Sequence, residues 1–271
     1  MTIELRLIGE LLLLGSCTGF MAGFLGIGGA TLLVPFTTLI LSHRGVDPQL
    51  AVKYAIATSM TVILFTSVSS AWAHHKRGAV LWHLVFALSP GIVAGGLLAG
   101  AGVFPQLKGN TLSIVFALFV TFSATQLLLD RKPLPGRQLP DAADSLAAGG
   151  VIGFVSGLVG AGGAFISIPF MTWCNVAIHN AVATSAALGF PIALGNTIGY
   201  VAGGWGLANP VPGSLGYVWL PGLVVTACAS VLLAPLGART AHGLDTRALK
   251  RSFAWVLYAL AAYMLWHALG A

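Results

Sequence analysis

Charge is what this sequence has least of. Of its 271 residues only 7 are acidic and 13 basic, so charged residues make up 7%, where a soluble domain carries about 25%. That shortage excludes a water-soluble fold. It also excludes paired carboxylates for acid–base work. Proton coupling through a carboxylate inside the membrane finds little support either, because on the segment boundaries below no span interior holds Lys, Arg, Asp or Glu. Glu10, about a turn or two into the first apolar segment, is the one acidic candidate. Cysteine is nearly missing too. Cys17, Cys174 and Cys228 are odd in number, lie inside apolar runs, and have neither disulfide nor metal spacing, so they read as packed thiols. No Ser-His-Asp or Cys-His arrangement and no phosphate loop is present, and Gly26-Ile-Gly-Gly-Ala lacks the parallel-sheet context of a dinucleotide site. The sequence therefore points away from an enzyme, a metal or a cofactor. A net charge of +6 does not signal nucleic acid, because the few Lys and Arg fall in short loops, where they orient membrane proteins. The N-terminus lacks a clear small-residue cleavage site and flows straight into an apolar run, so it does not read as a removed leader.

What is abundant is apolar: 57% of residues are hydrophobic and the mean hydropathy is +0.90. Continuous runs near 20 residues recur from end to end. In lipid the backbone must satisfy itself, and unbroken Leu-, Ala- and Gly-rich runs select helices over a barrel. The expected fold is an all-α polytopic membrane protein set in the lipid bilayer. Its segments fall near 5–23, 27–42, 50–73, 83–104 and 111–129, then 145–159, 161–175, 179–203, 216–237 and 250–269. The polar, proline-bearing stretch 130–144 is a linker between a first repeat, 1–129, and a second, 145–271.

The repeat is written in the residues. Gly19-Phe-Met-Ala-Gly-Phe-Leu-Gly-Ile-Gly-Gly-Ala-Thr-Leu-Leu-Val-Pro-Phe36 returns as Gly153-Phe-Val-Ser-Gly-Leu-Val-Gly-Ala-Gly-Gly-Ala-Phe-Ile-Ser-Ile-Pro-Phe170. Ala57-Thr58-Ser59 returns as Ala183-Thr184-Ser185, Gly78 as Gly204, and Trp82 roughly as Trp219. The offset falls from 134 residues at the glycines to 126 at the Thr-Ser pairs, which assigns an eight-residue deletion to the loop between the second and third segments. The first two segments of each half are short for full spans. They are either two thin crossings or a hairpin that turns back on the glycines. Either way the pair returns the chain to its starting side, three crossings follow, and the second repeat is inverted. That topology puts Arg6, Arg44, Lys53 and Lys108 on one face and the other nine basic residues on the opposite face. Parallel halves give six against seven. The biased split places the loop at 74–78, the linker and the loop at 239–251 in the cytoplasm and both termini outside, with Arg44 and Lys53 running against the bias.

Each glycine cluster should break its helix. A break exposes backbone N–H groups and the partial positive charge at the start of the following half-helix. Two such starts meeting near the midplane would hold an anion without a buried formal charge. The candidate site residues are Gly26, Gly28, Gly29, Gly160, Gly162 and Gly163, with Thr31 and Ser167 as nearby hydroxyls. Close helix packing by small residues is the competing reading. Thr58, Ser59, Thr184 and Ser185 could hydrogen-bond an oxyanion or coordinate Na⁺, or simply bond back to helix carbonyls. Asn196 is the one amide deep in an apolar segment and serves equally as ligand or as glue between helices. Pro191, five residues earlier, should kink its helix. His74-His75-Lys76-Arg77 reads first as an interfacial orientation signal. From the residues alone the expectation is a transporter of a small, anionic solute. A passive anion channel and a membrane assembly factor without flux are the alternatives.

The doubled Gly-Phe-x-x-Gly-Phe/Leu-x-Gly-x-Gly-Gly-Ala…Val/Ile-Pro-Phe motif, the Ala-Thr-Ser triplets, and Arg77-Gly78 followed by Trp82 together resemble the TauE/SafE family over nearly the whole chain. The resemblance implies a bacterial inner-membrane permease exporting sulfite or an organosulfonate. Its glycine loops and Thr-Ser pairs map onto the residues named above. Leu81 stands where many relatives carry an acid before the tryptophan. Neither substrate, coupling ion (H⁺ or Na⁺) nor oligomeric state is specified by these residues.

Overall fold

A computed structural model describes residues 5–25, 30–129, 141–207, 211–240 and 246–270. The helices are α1 (Leu5–Leu25), α2 (Ala30–His43), α3 (Pro48–His75), α4 (Trp82–Leu97) running into a π-helical turn (Leu98–Val103), and α5 (Gly109–Leu129). Then follow α6 (Ala142–Val159), α7 (Ala164–Trp173), α8 (Ile178–Gly203), α9 (Leu220–Thr240) and α10 (Thr246–Gly270). A two-residue hairpin, β1 (Ser214–Leu215) with β2 (Val218–Trp219), sits between α8 and α9. Seven helices among the described residues are long and apolar enough to cross a membrane. The protein is an all-α multi-pass membrane protein.

Local signals explain several boundaries. Asp47 accepts from the N–H groups of Gln49 and Leu50 at the start of α3, with Pro48 in the first turn. At the other end of α3, Lys76 lies over the Trp72 ring at 3.5 Å, and the Trp82 indole donates to His75 at 3.0 Å. This basic cluster is anchored by aromatic rings in the manner of a membrane interface. Cys17 and Cys228 are exposed on spanning helices and only Cys174 is buried, so just one of the three packs as expected. Lys53 corrects the expectation of spans free of interior charge. It lies about a turn and a half into α3, is buried, and its Nζ donates to the Pro105 carbonyl at 2.9 Å, with the Tyr217 ring 5.4 Å away. The long aliphatic stem lets a lysine near a helix end reach such a partner.

The two halves of the chain are interleaved. The first helix of each packs on the fourth helix of the other: α1 on α9 and α6 on α4. Glycines make both contacts, and matching glycines do so. Gly15 and Gly19 lie against the α9 backbone at Thr226 and Ser230, and Gly149 and Gly153 lie against the α4 backbone at Leu88 and Ile92. A side chain at any of these positions would collide with backbone, the situation in which membrane helices use small residues to approach closely. The third helices pack on each other, α3 on α8, with Thr61 against Thr197 and Ser67 against Gly189. One residue number rises as the other falls, so α3 and α8 run antiparallel.

Each short pair brings the chain back to the face it left, and α1 and α6 are long enough to cross a membrane. Glu10, near the start of α1, pairs with Arg44, just past the end of α2, at 3.4 Å. Leu7, Leu11 and Leu41 share one apolar cluster, so both outer ends lie on one face. In the second half α7, ten residues long, covers only about 15 Å of a core about 30 Å thick. It starts against Ile192 in the middle of α8 and returns toward the start of α8, where Ser167 meets Ser185.

Candidate functional site

The second glycine motif breaks its helix as its sequence demands. Gly160 closes α6 with φ 73°, and its N–H bonds to the Ser156 carbonyl. Gly163, also at φ 73°, precedes α7. Both conformations are left-handed and cost a side-chain-bearing residue dearly. Gly162 between them has ordinary backbone, and a Cβ there would meet only Ile63 at 3.5 Å. The break packs on the middle of α3, at Ile56 and Ile63, and of α8, at Ile192. It therefore sits level with the centre of the two longest helices, with the start of α7 opening there.

Two hydroxyls beside the starts of the short helices, Ser156 in the last turn of α6 and Thr31 in the first turn of α2, are buried without partners. Ser156 Oγ is fully buried, and Gly163 lies beside it. Thr31 Oγ1, in the first turn of α2, is likewise buried and unpaired. Ser156 was not among the residues singled out from sequence. Its matching position in the first half is Ala22, so the repeat, which guided the choice, hid it. Gly26, Gly28 and Gly29 lie outside the described residues.

The Thr-Ser pairs are not brought together. In the antiparallel register of α3 and α8, Thr184 lies level with the last turns of α3, about fifteen residues or roughly 22 Å from Thr58. Both threonines instead bind the other half. Thr58 Oγ1 accepts the N–H of Trp219 at 3.0 Å, and Thr184 Oγ1 accepts the N–H of Leu81 at 3.0 Å. These are matching bonds to the residues that precede α9 and α4. The serines differ: Ser185 bonds Ser167 at 2.7 Å, while Ser59 Oγ is buried and unpaired. Ser59 lines a narrow crevice with Thr58, Thr37 and Thr226 that has no room for a water molecule.

Asn196 acts as glue in this structure. Its amide donates to the carbonyls of Ile192 at 2.8 Å and Gly153 at 3.2 Å, joining α8 to α6. Gly157 and Gly96 leave the slot it fills, and the Tyr200 hydroxyl one turn on donates to the Gly157 carbonyl. Its Oδ1 remains unpaired.

Known proteins resemble this chain along its length. A Haemophilus influenzae protein described as a probable membrane transporter protein is 31% identical over 254 residues, covering 93% of this chain and 96% of its own. A Methanocaldococcus jannaschii protein with the same description is 24% identical over 265 residues, 96% of each. A Bacillus subtilis protein, also so described, is 27% identical over 199 residues, 69% of this chain and 76% of its own. No solved structure matches. The family model for the sulfite exporter TauE/SafE spans residues 11–264, and the chain belongs to that family of membrane transporters.

Proposed function

We propose that the protein is a secondary transporter that exports a small sulfur-containing anion, such as sulfite or an organosulfonate, across a bacterial inner membrane. One observation carries the anion: a helix start opens at the midplane between two left-handed glycines, with the buried, unpartnered Ser156 hydroxyl beside it. Backbone N–H groups and a hydroxyl donate, and the helix start is positive. None of the 7 acidic residues belongs to the middle of a described segment, so a cation would find no countercharge. The family description supports sulfur oxyanions as the substrate class.

The antiparallel α3 and α8 and the two short pairs that return the chain support inverted repeats working by alternating access. Two of the four basic residues on the sparser face are tied to Glu10, Arg6 at 3.2 Å and Arg44 at 3.4 Å, and Lys53 is buried. Their orienting weight is thereby reduced, which favours Lys76 and Arg77 in the cytoplasm.

Gly162→Val is the clean test, because that position has room and unstrained backbone. Purified protein in liposomes should show saturable flux and counterflow of sulfite or sulfoacetate. The variant should lose at least about 90% of the flux, roughly the loss of 1.4 kcal/mol of site complementarity, while staying folded. Undiminished flux would remove the break from the site.

A further inference from the structure

At the face carrying Lys76 and Arg77 an open cleft of about 510 Å³ separates the start of α4 from the turn between α7 and α8. Leu81, His83, Asn175, Ala177 and Asn180 line it. It lies between the two halves, and Leu81 on its wall is the residue whose N–H bonds Thr184. The repeat says what should stand at the matching place on the other face. The offset that pairs Thr58 with Thr184 pairs Tyr54 with Asn180 and Ala51 with Ala177; the glycine offset pairs Leu41 with Asn175; and the matching threonine bonds pair Trp219 with Leu81. Leu41, Ala51, Tyr54 and Trp219 are all 0% exposed and belong to a single apolar cluster. One location in the fold is thus an open cleft of mixed polar and apolar lining on one face and a filled apolar plug on the other.

The plug has been added to. The segment between α8 and α9 is longer than its counterpart between α3 and α4, and its Val211 sits in the cluster and donates its N–H to the Tyr54 hydroxyl at 3.1 Å. Beneath lies the dry crevice at Ser59. Two buried donors have no partner, Ser59 Oγ lining the crevice and Trp219 Nε1 in the plug, whose backbone N–H bonds the neighbouring Thr58. Unsatisfied buried donors are rare, and each calls for a state that satisfies it.

We propose that the cleft is the open mouth and the Tyr54–Trp219–Val211 plug the closed gate of one pathway, and that Ser59 Oγ and Trp219 Nε1 receive a small oxyanion when the gate opens. This rests on the transport reading above and adds the residues by which the anion leaves. Both donors are neutral and hold a proton for an oxyanion without binding it tightly, which suits an exit.

Single cysteines at Ala177 and Ala51, in a chain carrying Cys17→Ala, Cys174→Ala and Cys228→Ala, test the gate in liposomes with a membrane-impermeant maleimide added to both sides. Ala177→Cys should react at least about tenfold faster than Ala51→Cys, and adding Tyr54→Ala should raise the Ala51→Cys rate by about as much, the expected effect of destabilising a closed local state. Equal rates at the start, or no response to Tyr54→Ala, overturn the gate. Ser59→Ala removes a donor with little change of volume and lies outside the plug: it should leave the labelling contrast in place and raise the sulfite KM by about tenfold, the loss of one hydrogen bond to an anion. An unchanged KM overturns the donor role. A labelling contrast without flux of any sulfur anion upholds the gate and overturns the substrate reading instead.

Discussion

Two kinds of helix contact hold this molecule together, and they are built from different residues. The α1–α9 and α4–α6 contacts bring backbone against backbone through Gly15, Gly19, Gly149 and Gly153. The α3–α8 contact is looser in chemistry: hydroxyls meet at Thr61 and Thr197, Ser67 faces Gly189, and Pro191 lies within α8. Backbone contacts have no rotamers to adjust, so a glycine-lined pair moves as a unit, whereas a face of small polar side chains can slide. Each glycine contact joins helices from opposite halves of the chain, which bears on how the proposed alternating access would work. Rocking of residues 1–129 against 145–271 would tear both glycine contacts apart. α8 is itself tied to α4 and its π-helical turn by backbone contact at Gly195, Gly100 and Gly199, and to α6 through Asn196 and Tyr200, so in the proposed cycle any sliding falls between α3 and the joined α4, α6 and α8.

The widest separation between the two kinds of contact should come from filling them. Gly153→Leu and Gly19→Leu each drive a side chain into facing backbone. Overpacking of this kind costs about 3 kcal/mol or more, so neither variant should give a monodisperse peak in detergent. Thr61→Val, at the sliding contact, should cost under about 1 kcal/mol and run as the parent does. A well-behaved Gly153→Leu protein would show that the glycine contacts are not the rigid ones.

Next in size are the glycines of the break. Gly163→Val meets a left-handed backbone and the Ile192 side chain at 2.5 Å. It should lose about 1–3 kcal/mol of stability, lowering the melting temperature in detergent, as well as flux. Gly162→Val should lose flux alone. If the two behave alike in thermal melts, backbone conformation is not what separates them.

Much of this was legible before any coordinates. All ten helices fall close to the boundaries that apolar runs and loop prolines suggested, because hydrocarbon leaves the backbone no other choice. The break at Gly160–Gly163 was legible because glycine clusters have few uses inside a membrane. What the sequence could not reveal was partnership. Thr58 and Thr184 match in the repeat, and matching suggested one shared site. Thr58 and Thr184 instead lie far apart along the antiparallel α3 and α8, and each accepts a backbone N–H from the other half, so the two threonines act as two separate clamps. Ser156 failed to stand out for the complementary reason: a site residue used on one side only leaves no echo in the repeat. Lys53 was visible as a charge, but its burial depends on the Pro105 carbonyl 52 residues away, which no local pattern encodes.

The clamps give a smaller and more even effect. Thr184→Val and Thr58→Val each leave a backbone N–H, of Leu81 or Trp219, without its acceptor. Each should cost about 1 kcal/mol, seen as similar drops in melting temperature. Unequal drops would mean that the two bonds are not equivalent in the resting fold.

The smallest change distinguishes the two faces most sharply. Ser59 and Ser185 match in the repeat, yet Ser185 is bonded to Ser167 and Ser59 has no partner. Removing the Ser185 hydroxyl strands that of Ser167, so Ser185→Ala should destabilise by about 1 kcal/mol. Removing Ser59 takes away a buried hydroxyl whose desolvation nothing offsets, so Ser59→Ala should melt at the same temperature or slightly higher. If Ser59 served packing alone, flux through Ser59→Ala would follow its stability and stay whole. A donor kept for the passing anion predicts the opposite pairing: a protein no less stable that transports more slowly. Residues retained at a cost to the resting fold are the ones whose use lies in another state.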